Sequence, residues 1–205
     1  MKVLMINGSP HKEGNTYLAL KEMENIFLQE GIECEIVQVG NKPVRGCIGC
    51  RACGEKGKCV FDDCVNETAP KFQECDGLVI GSPVYYASAN GTLVSFLDRL
   101  FFSTPFGKTM KVGASIVAAR RGGLSATFDE LNKYFTICGM PVASGQYWNS
   151  VHGREIGEAA QDKEGLQGMR TLARNMTFLM RSIELGKARY GLPEREPFER
   201  TNFIR

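Results

Sequence analysis

At 205 residues the chain fits one domain with enough core to fold without disulfides or a structural metal. A formal net charge of +2, with 25 basic and 23 acidic residues scattered along the chain, provides no stripe for nucleic acid, so no nucleic-acid partner is expected. The apolar run after Met1 is too short for a signal peptide and no later run reaches membrane-spanning length, so the expectation is a cytoplasmic protein with reduced thiols and no membrane partner.

Residues 2–6 form a short apolar run that stops at Asn7-Gly8-Ser9-Pro10. Ala19, Leu20, Met23, Ile26 and Phe27 then repeat at helical spacing, so the opening predicts strand, loop, helix. Gly31 ends that helix, and Glu33 to Val39 reads as a second strand. A cysteine-rich stretch follows, after which Asp62-Asp63 suits the positive end of a helix running to about Cys75. Gly77 to Gly81 is a buried strand, Ser82 to Tyr86 a loop, and Leu93, Phe96, Leu97, Leu100 and Phe101 mark a further helix. Val112 to Ala119 is the fourth strand, and Arg120-Arg121-Gly122-Gly123 is its loop.

Leu124, Phe128, Leu131 and Phe135 define the next helix, and the fifth strand is expected from about Met140 to Trp148. The last helix spans Asp162 to Leu185 on an apolar stripe that reads as core. Five strands alternating with helices imply an α/β fold, a doubly wound parallel sheet with helices on both faces. One domain is expected over residues 1–185, with a cysteine-loop insertion at 46–62 and an irregular charged tail at 186–205 that can embrace a second subunit.

Ligands of such sheets bind outside the carboxyl ends of the strands, where three of these loops must converge. Gly8 to Thr16 brings Ser9, His11, Asn15 and Thr16 to the start of a helix, a combination suited to phosphate oxygens; capping alone accounts for one polar residue better than for several. The dinucleotide fingerprint Gly-x-Gly-x-x-Gly is absent, so a monophosphate is favoured. Gly107-Lys108-Thr109 resembles the end of a nucleotide loop, but Phe102 stands where its first glycine belongs and a strand follows. The second loop adds Pro83, Val84, Tyr85 and Tyr86 for a flat ring, and the third adds Arg120, Arg121 and Gly122 for an anionic ring or phosphate. Core aromatics and a solvated arginine pair are the plain alternatives. Together the three loops make FMN the most economical ligand, with no side chain required as nucleophile or general acid. Of the two histidines, His11 reads as a ligand contact and His152 as structural or exposed.

Cys47, Cys50, Cys53 and Cys59 place four thiols within thirteen positions. Spacings of this kind let one loop wrap an iron–sulfur cube, whereas zinc sites usually join two knuckles ten or more residues apart. Cluster, metal-free thiols and zinc all remain open, in that order.

Gly8-Ser9-Pro10 with Gly14-Asn15-Thr16, the Cys47 to Cys59 run with Asp62-Asp63, and Ser82-Pro83-Val84-Tyr85 together resemble the flavodoxin-like NADPH-dependent FMN reductase family, and within it the iron–sulfur flavoproteins. The resemblance implies a five-stranded flavodoxin sheet with FMN phosphate held by Ser9, His11, Asn15 and Thr16 and the ring against Pro83 to Tyr86 and Ala119 to Gly122. It further implies a [4Fe–4S] cluster on Cys47, Cys50, Cys53 and Cys59, although cluster-free reductases keep similar cysteines and Cys64 complicates the ligand count. The implied activity is electron transfer from NAD(P)H or ferredoxin to an acceptor such as a quinone or flavin, in a homodimer or homotetramer that brings the cluster loop near a partner's flavin. An electron carrier without its own substrate and a thiol-based redox sensor are the competing readings.

Overall fold

The computed structural model describes every residue except 195, 198, 202 and 205. Its centre is a parallel sheet built on β1 (Lys2–Asn7), β2 (Glu33–Gln38), β3 (Gly77–Tyr85), β5 (Val112–Ala119) and β6 (Ser150–His152), in the order β2-β1-β3-β5-β6. The two-residue β4 (Ser88–Ala89) pairs antiparallel with the end of β3. The sheet is covered on both faces because its strands alternate. Val3 and Met5 of β1 face a core completed by α1 (Asn15–Gln29) and α6 (Lys163–Tyr190). Leu4 and Ile6 face the opposite core, with α3 (Cys64–Glu74), α4 (Gly91–Ser103) and α5 (Leu124–Thr136). A short α2 (Cys53–Lys56) sits in the cysteine loop. Chain order reverses between β1 and β3, which is the topological switch point where this strand order opens a ligand crevice. Among the described residues, no helix is long and apolar enough to cross a membrane.

Three expectations are corrected. The stretch expected to loop after Gly81 remains in β3 to Tyr85 and turns back at once into β4, with Tyr86 and Ala87 at φ 51° and 61°. Two left-handed central residues are what a tight hairpin turn of this hand requires, usually supplied by Asn and Gly, so the sequence hid it. The fifth strand does not occupy 140–148. Val142 touches Gly113 in a single bridge, the chain bends away, and pairing resumes at Ser150–His152 opposite Val117–Ala119. Pro141 has no N–H to offer, and the Asn149 side chain fills the gap by donating to Ser115 O at 3.1 Å. Finally, α6 runs through Tyr190, with Lys187 and Arg189 in its last turn, so residues 186–190 of the expected irregular tail are helical. The described residues beyond Gly191 carry no helix or strand; positions 195, 198, 202 and 205 of that tail lie outside the described residues.

The decoy Lys108 turns inward. Its Nζ donates to Thr104 O at 2.9 Å and to Phe106 O at 3.3 Å, closing the C-terminal end of α4, and burial lowers its pKa.

Cys75, between α3 and β3, is buried, and burial pushes its thiol up from 9.0 to about 11. Between those values the unfolded chain has lost the proton that the folded chain retains, so folding stability falls as pH rises through this window. We expect roughly 3 kcal/mol of stability present at pH 8 to be lost by pH 11 at this one site. Urea unfolding of the wild type and Cys75→Ala across that range should show the steeper alkaline decline only in the wild type.

Candidate functional site

The β1–α1 loop is held from behind. Asn7, at the end of β1, is fully buried; its Oδ1 accepts from Ser9 N at 3.1 Å, and its Nδ2 donates to Gln38 Oε1 at 2.6 Å and Lys12 O at 3.2 Å. Gln38 Nε2 in turn donates to Ser9 O at 2.7 Å. Gly40 lies so close beneath the loop that an added Cβ would stand 2.2 Å from Gly8 O and 2.3 Å from the Ser9 carbonyl carbon. Neither Asn7 nor Gln38 belongs to the site expected from the sequence. Both end apolar strands with a polar amide, which is the signal that could have marked them.

Above this support, α1 begins at Asn15 with Gly14 as N-cap and no side chain capping its first turn. The helices α3, α4 and α6 are capped by Asp63, Asn90 and Asp162, whereas α5, like α1, starts at a glycine, Gly123, with no side-chain cap. The first N–H groups of α1 are therefore left for an anion, and the helix dipole favours one there.

The cleft they open into has a volume of about 400 Å³, within the usual range of small-molecule sites. Ser9, His11, Asn15 and Thr16 line it from the first loop, Pro83, Val84 and Tyr85 from the β3 end, and Ala119 and Arg120 from the β5 end. Tyr86, at the hairpin tip, is fully exposed and lies outside the lining, as do Arg121 and Gly122. A fourth wall, Gly153 to Ile156 after β6, has no counterpart in the sequence reading because the displaced fifth strand hid it. Glu158 fixes that wall by accepting from Arg154 N and Glu155 N, bonds that hold its carboxyl below the usual range.

Asn15 has a second task. Its Nδ2 donates to Glu155 O at 2.9 Å and its Oδ1 accepts from Ala159 N at 3.0 Å, so the amide ties α1 to the fourth wall and leaves mainly its backbone N–H for an anion. Asn15→Ala breaks both bonds, and we expect it to cost about 1–2 kcal/mol of stability, read by urea unfolding. His152 is exposed at the end of β6, where its backbone N–H donates to Asp162 Oδ2 at 2.7 Å.

The cysteine loop forms a separate site against α4. Cys47 and Cys50 are exposed, Cys53 and Cys59 half-buried, and all four line one pocket together with Phe61, Arg99, Phe102 and Ser103. Among the described residues, no three His, Cys, Asp or Glu side chains gather closely enough for a single ion. Tetrahedral zinc needs thiolates only about 3.8 Å apart, whereas a cube spreads its ligands over four irons. The pocket that the four thiols line has a volume of about 20 Å³, room for about one water, so a cube requires the loop to spread. Gly49 and Gly54, with nothing within 4 Å of an added Cβ, leave it room.

Arg99 anchors this loop. Although only 1% exposed, its guanidinium forks onto Asp63 at 2.7 and 2.9 Å, donates to Arg45 O and Phe61 O at 3.2 Å each, and donates from Nε to Cys59 Sγ at 3.2 Å. Burial opposes its charge, but the hydrogen bonds to Asp63 and Cys59 outweigh that and raise its pKa. One turn later, Ser103 lines the same pocket, and its Oγ is buried without a hydrogen-bond partner. A buried donor lacking an acceptor fits a sulfur-rich group in that pocket. Sequence inspection missed both residues; the signal was a charge at Arg99 inside the apolar stripe of Phe96, Leu97 and Leu100.

Residues 1–155 match the model of the NADPH-dependent FMN reductase family. An iron–sulfur flavoprotein of Methanocaldococcus jannaschii is 35% identical over 195 residues, covering 90% of this chain and 100% of that one. An iron–sulfur flavoprotein of Methanosarcina thermophila is 28% identical over 194 residues, covering 90% and 97%. In structure, RosB with a bound 8-demethyl-8-formylriboflavin-5'-phosphate intermediate superposes at a TM-score of 0.72 and 17% identity, covering 100% of this chain and 92% of RosB. Oxidised flavodoxin 1 of Bacillus cereus superposes at 0.59 and 13%, covering 87% and 98%. At those identities the two structures establish the flavodoxin-like fold alone. With the family match over residues 1–155 and a relative aligned over its full length, the chain belongs to the NADPH-dependent FMN reductase family, beside its iron–sulfur flavoproteins, and is a flavin-based oxidoreductase or electron-transfer protein.

Proposed function

We propose that this chain binds FMN in the cleft at the switch point and uses it to pass electrons from NAD(P)H or ferredoxin to an acceptor such as a quinone or free flavin, with a [4Fe–4S] cluster on Cys47, Cys50, Cys53 and Cys59. The observation that carries the reading is the uncapped start of α1, opening into a cleft walled by Pro83 to Tyr85 and by Ala119 and Arg120. The α1 N–H groups with Ser9, His11 and Thr16 receive the phosphate. Pro83, Val84 and Tyr85 give one edge of a flat ring an apolar wall, and Arg120 offers a cation where negative charge collects. Bound FMN supplies the chemistry, accepting electrons in pairs or singly, and the protein positions it. No side chain is assigned as nucleophile or general acid.

The cysteine pocket and the cleft share no lining residue. The pocket lies toward the end of α4, a helix about 20 Å long whose start is at the sheet's carboxyl edge. Exposed Ile48 and Phe102 line that pocket, and exposed Ile137 lines a neighbouring groove with Cys47 and Phe102, which supports a homodimer or homotetramer in which the loop of one copy approaches the cleft of another.

Protein purified without oxygen should show flavin bands, about four irons and four acid-labile sulfides per chain, and NADH or NADPH oxidation with a quinone acceptor. No turnover with either nucleotide, but reduction by ferredoxin, would favour an electron carrier without its own substrate. Flavin without iron would remove the cluster and return the exposed thiols Cys47 and Cys50 to the redox-sensor reading.

A further inference from the structure

We propose that Arg99 and Ser103 of α4 are positioning residues that set the reduction potential of the cluster held by the cysteine loop, by donating hydrogen bonds to its sulfur atoms. The inference rests on the cluster reading above.

Two independent features point at the same pocket. Arg99 sends Nε–H to Cys59 Sγ at 3.2 Å while its other donors are taken by Asp63, Phe61 O and Arg45 O, so the guanidinium has no freedom to turn away. Phe61 lies under it, its ring centroid 5.1 Å from Cζ. Ser103, at 5% exposure, presents an Oγ with no partner. The two residues are four apart on one helix, so they share a face, and both line the pocket of Cys47, Cys50, Cys53 and Cys59. Helix α4 is packed into the core through Phe96, Leu97 and Leu100, which makes it a rigid platform beneath a glycine-rich loop.

The physical effect has a definite sign. Reduction adds one electron to the cluster and makes it more negative, and a donor aimed at sulfur stabilises the more negative form. Each donor therefore raises the potential, and removing one lowers it. Ser103 is the cleaner probe, since its hydroxyl has no protein partner to lose.

The test is a dithionite titration of anaerobically purified holoprotein, following cluster and flavin signals separately, with iron and acid-labile sulfide assayed on every sample. For Ser103→Ala we expect wild-type iron, sulfide and flavin content and an unchanged flavin midpoint. Its cluster midpoint should fall by about tenfold in the electron-partition constant, which is about 59 mV for a one-electron couple. Ser103→Thr, which keeps a hydroxyl, should restore the wild-type midpoint. Arg99→Lys retains the charge but loses the Nε–Cys59 bond, and should lower the midpoint as well; should it fail to fold, the Ser103 pair decides. A Ser103→Ala cluster that loads fully and titrates at the wild-type midpoint overturns the inference alone. Wild-type holoprotein with flavin and no iron overturns the cluster reading, and the inference with it.

Discussion

Gly40→Ala is expected to weaken FMN binding by about 100-fold, or about 3 kcal/mol, the larger of the effects foreseen at the cleft. The new methyl would stand 2.2 Å from Gly8 O, 2.3 Å from the Ser9 carbonyl carbon and 2.4 Å from the Gly8 carbonyl carbon. All three are backbone atoms, so no side chain can swing aside, and relief requires the loop itself to shift by about 1 Å. That loop cannot move alone. Ser9 is tied to Asn7 and Gln38, and Gly8 N donates to Gly81 O at 2.8 Å. A displacement at Ser9 therefore carries the start of α1 away from the cleft, and misplacement of that size is costly to any site built on geometry. Fluorescence titration of the apoprotein with FMN is the direct measurement. Gly186→Ala, in α6 with nothing within 4 Å of the added carbon, is the control: about 1 kcal/mol more stable and unchanged in FMN affinity. Affinity in Gly40→Ala within threefold of the wild type would show that the loop yields freely and is not the phosphate cradle.

Arg99→Leu should lose about 3 kcal/mol of stability, which for a domain of this size lowers Tm by roughly 6–12 °C. Leucine fills much of the volume and supplies no donor. It leaves the carbonyls of Arg45 and Phe61 without their cation and the Asp63 carboxylate without its fork. The loss sits at the low end for a broken buried pair because Asp63 retains 30% exposure and some solvent. Asp63 also caps α3 through Val65 N at 3.1 Å, so the damage reaches the helix that follows the cysteine loop. The double variant Arg99→Leu with Asp63→Asn should recover part of the loss, since it no longer strands a charge. Equal Tm values for Arg99→Leu and the wild type would show that the loop is not anchored through this residue.

The order of elements was legible in the sequence because strands buried on both faces leave continuous apolar runs, as in Val112 to Ala119, and the helices between them leave period-3.6 stripes. The gathering of Ser9, His11, Asn15, Thr16, Pro83 to Tyr85, Ala119 and Arg120 in one cleft follows from that order, since parallel strands put their carboxyl ends on one edge, even though Pro83 to Tyr85 end β3 rather than forming a loop. Local patterning did not reach further. The fifth strand splits around residues 144–149 because Asn149 completes the pairing of β5 with a side chain, a substitution of amide for backbone that no periodicity records.

The density of Cys47, Cys50, Cys53 and Cys59 was likewise plain in one dimension, as was its suitability for a sulfur-rich metal group. Only the tertiary structure showed that these thiols close on α4 rather than on the cleft, and that Arg99 and Ser103, forty or more residues beyond Cys59, complete their pocket. The reason is physical. Spacing along the chain reports which residues one loop can present, whereas a buried cation and an unpartnered hydroxyl acquire meaning from burial and distance, which exist only once the helix has packed.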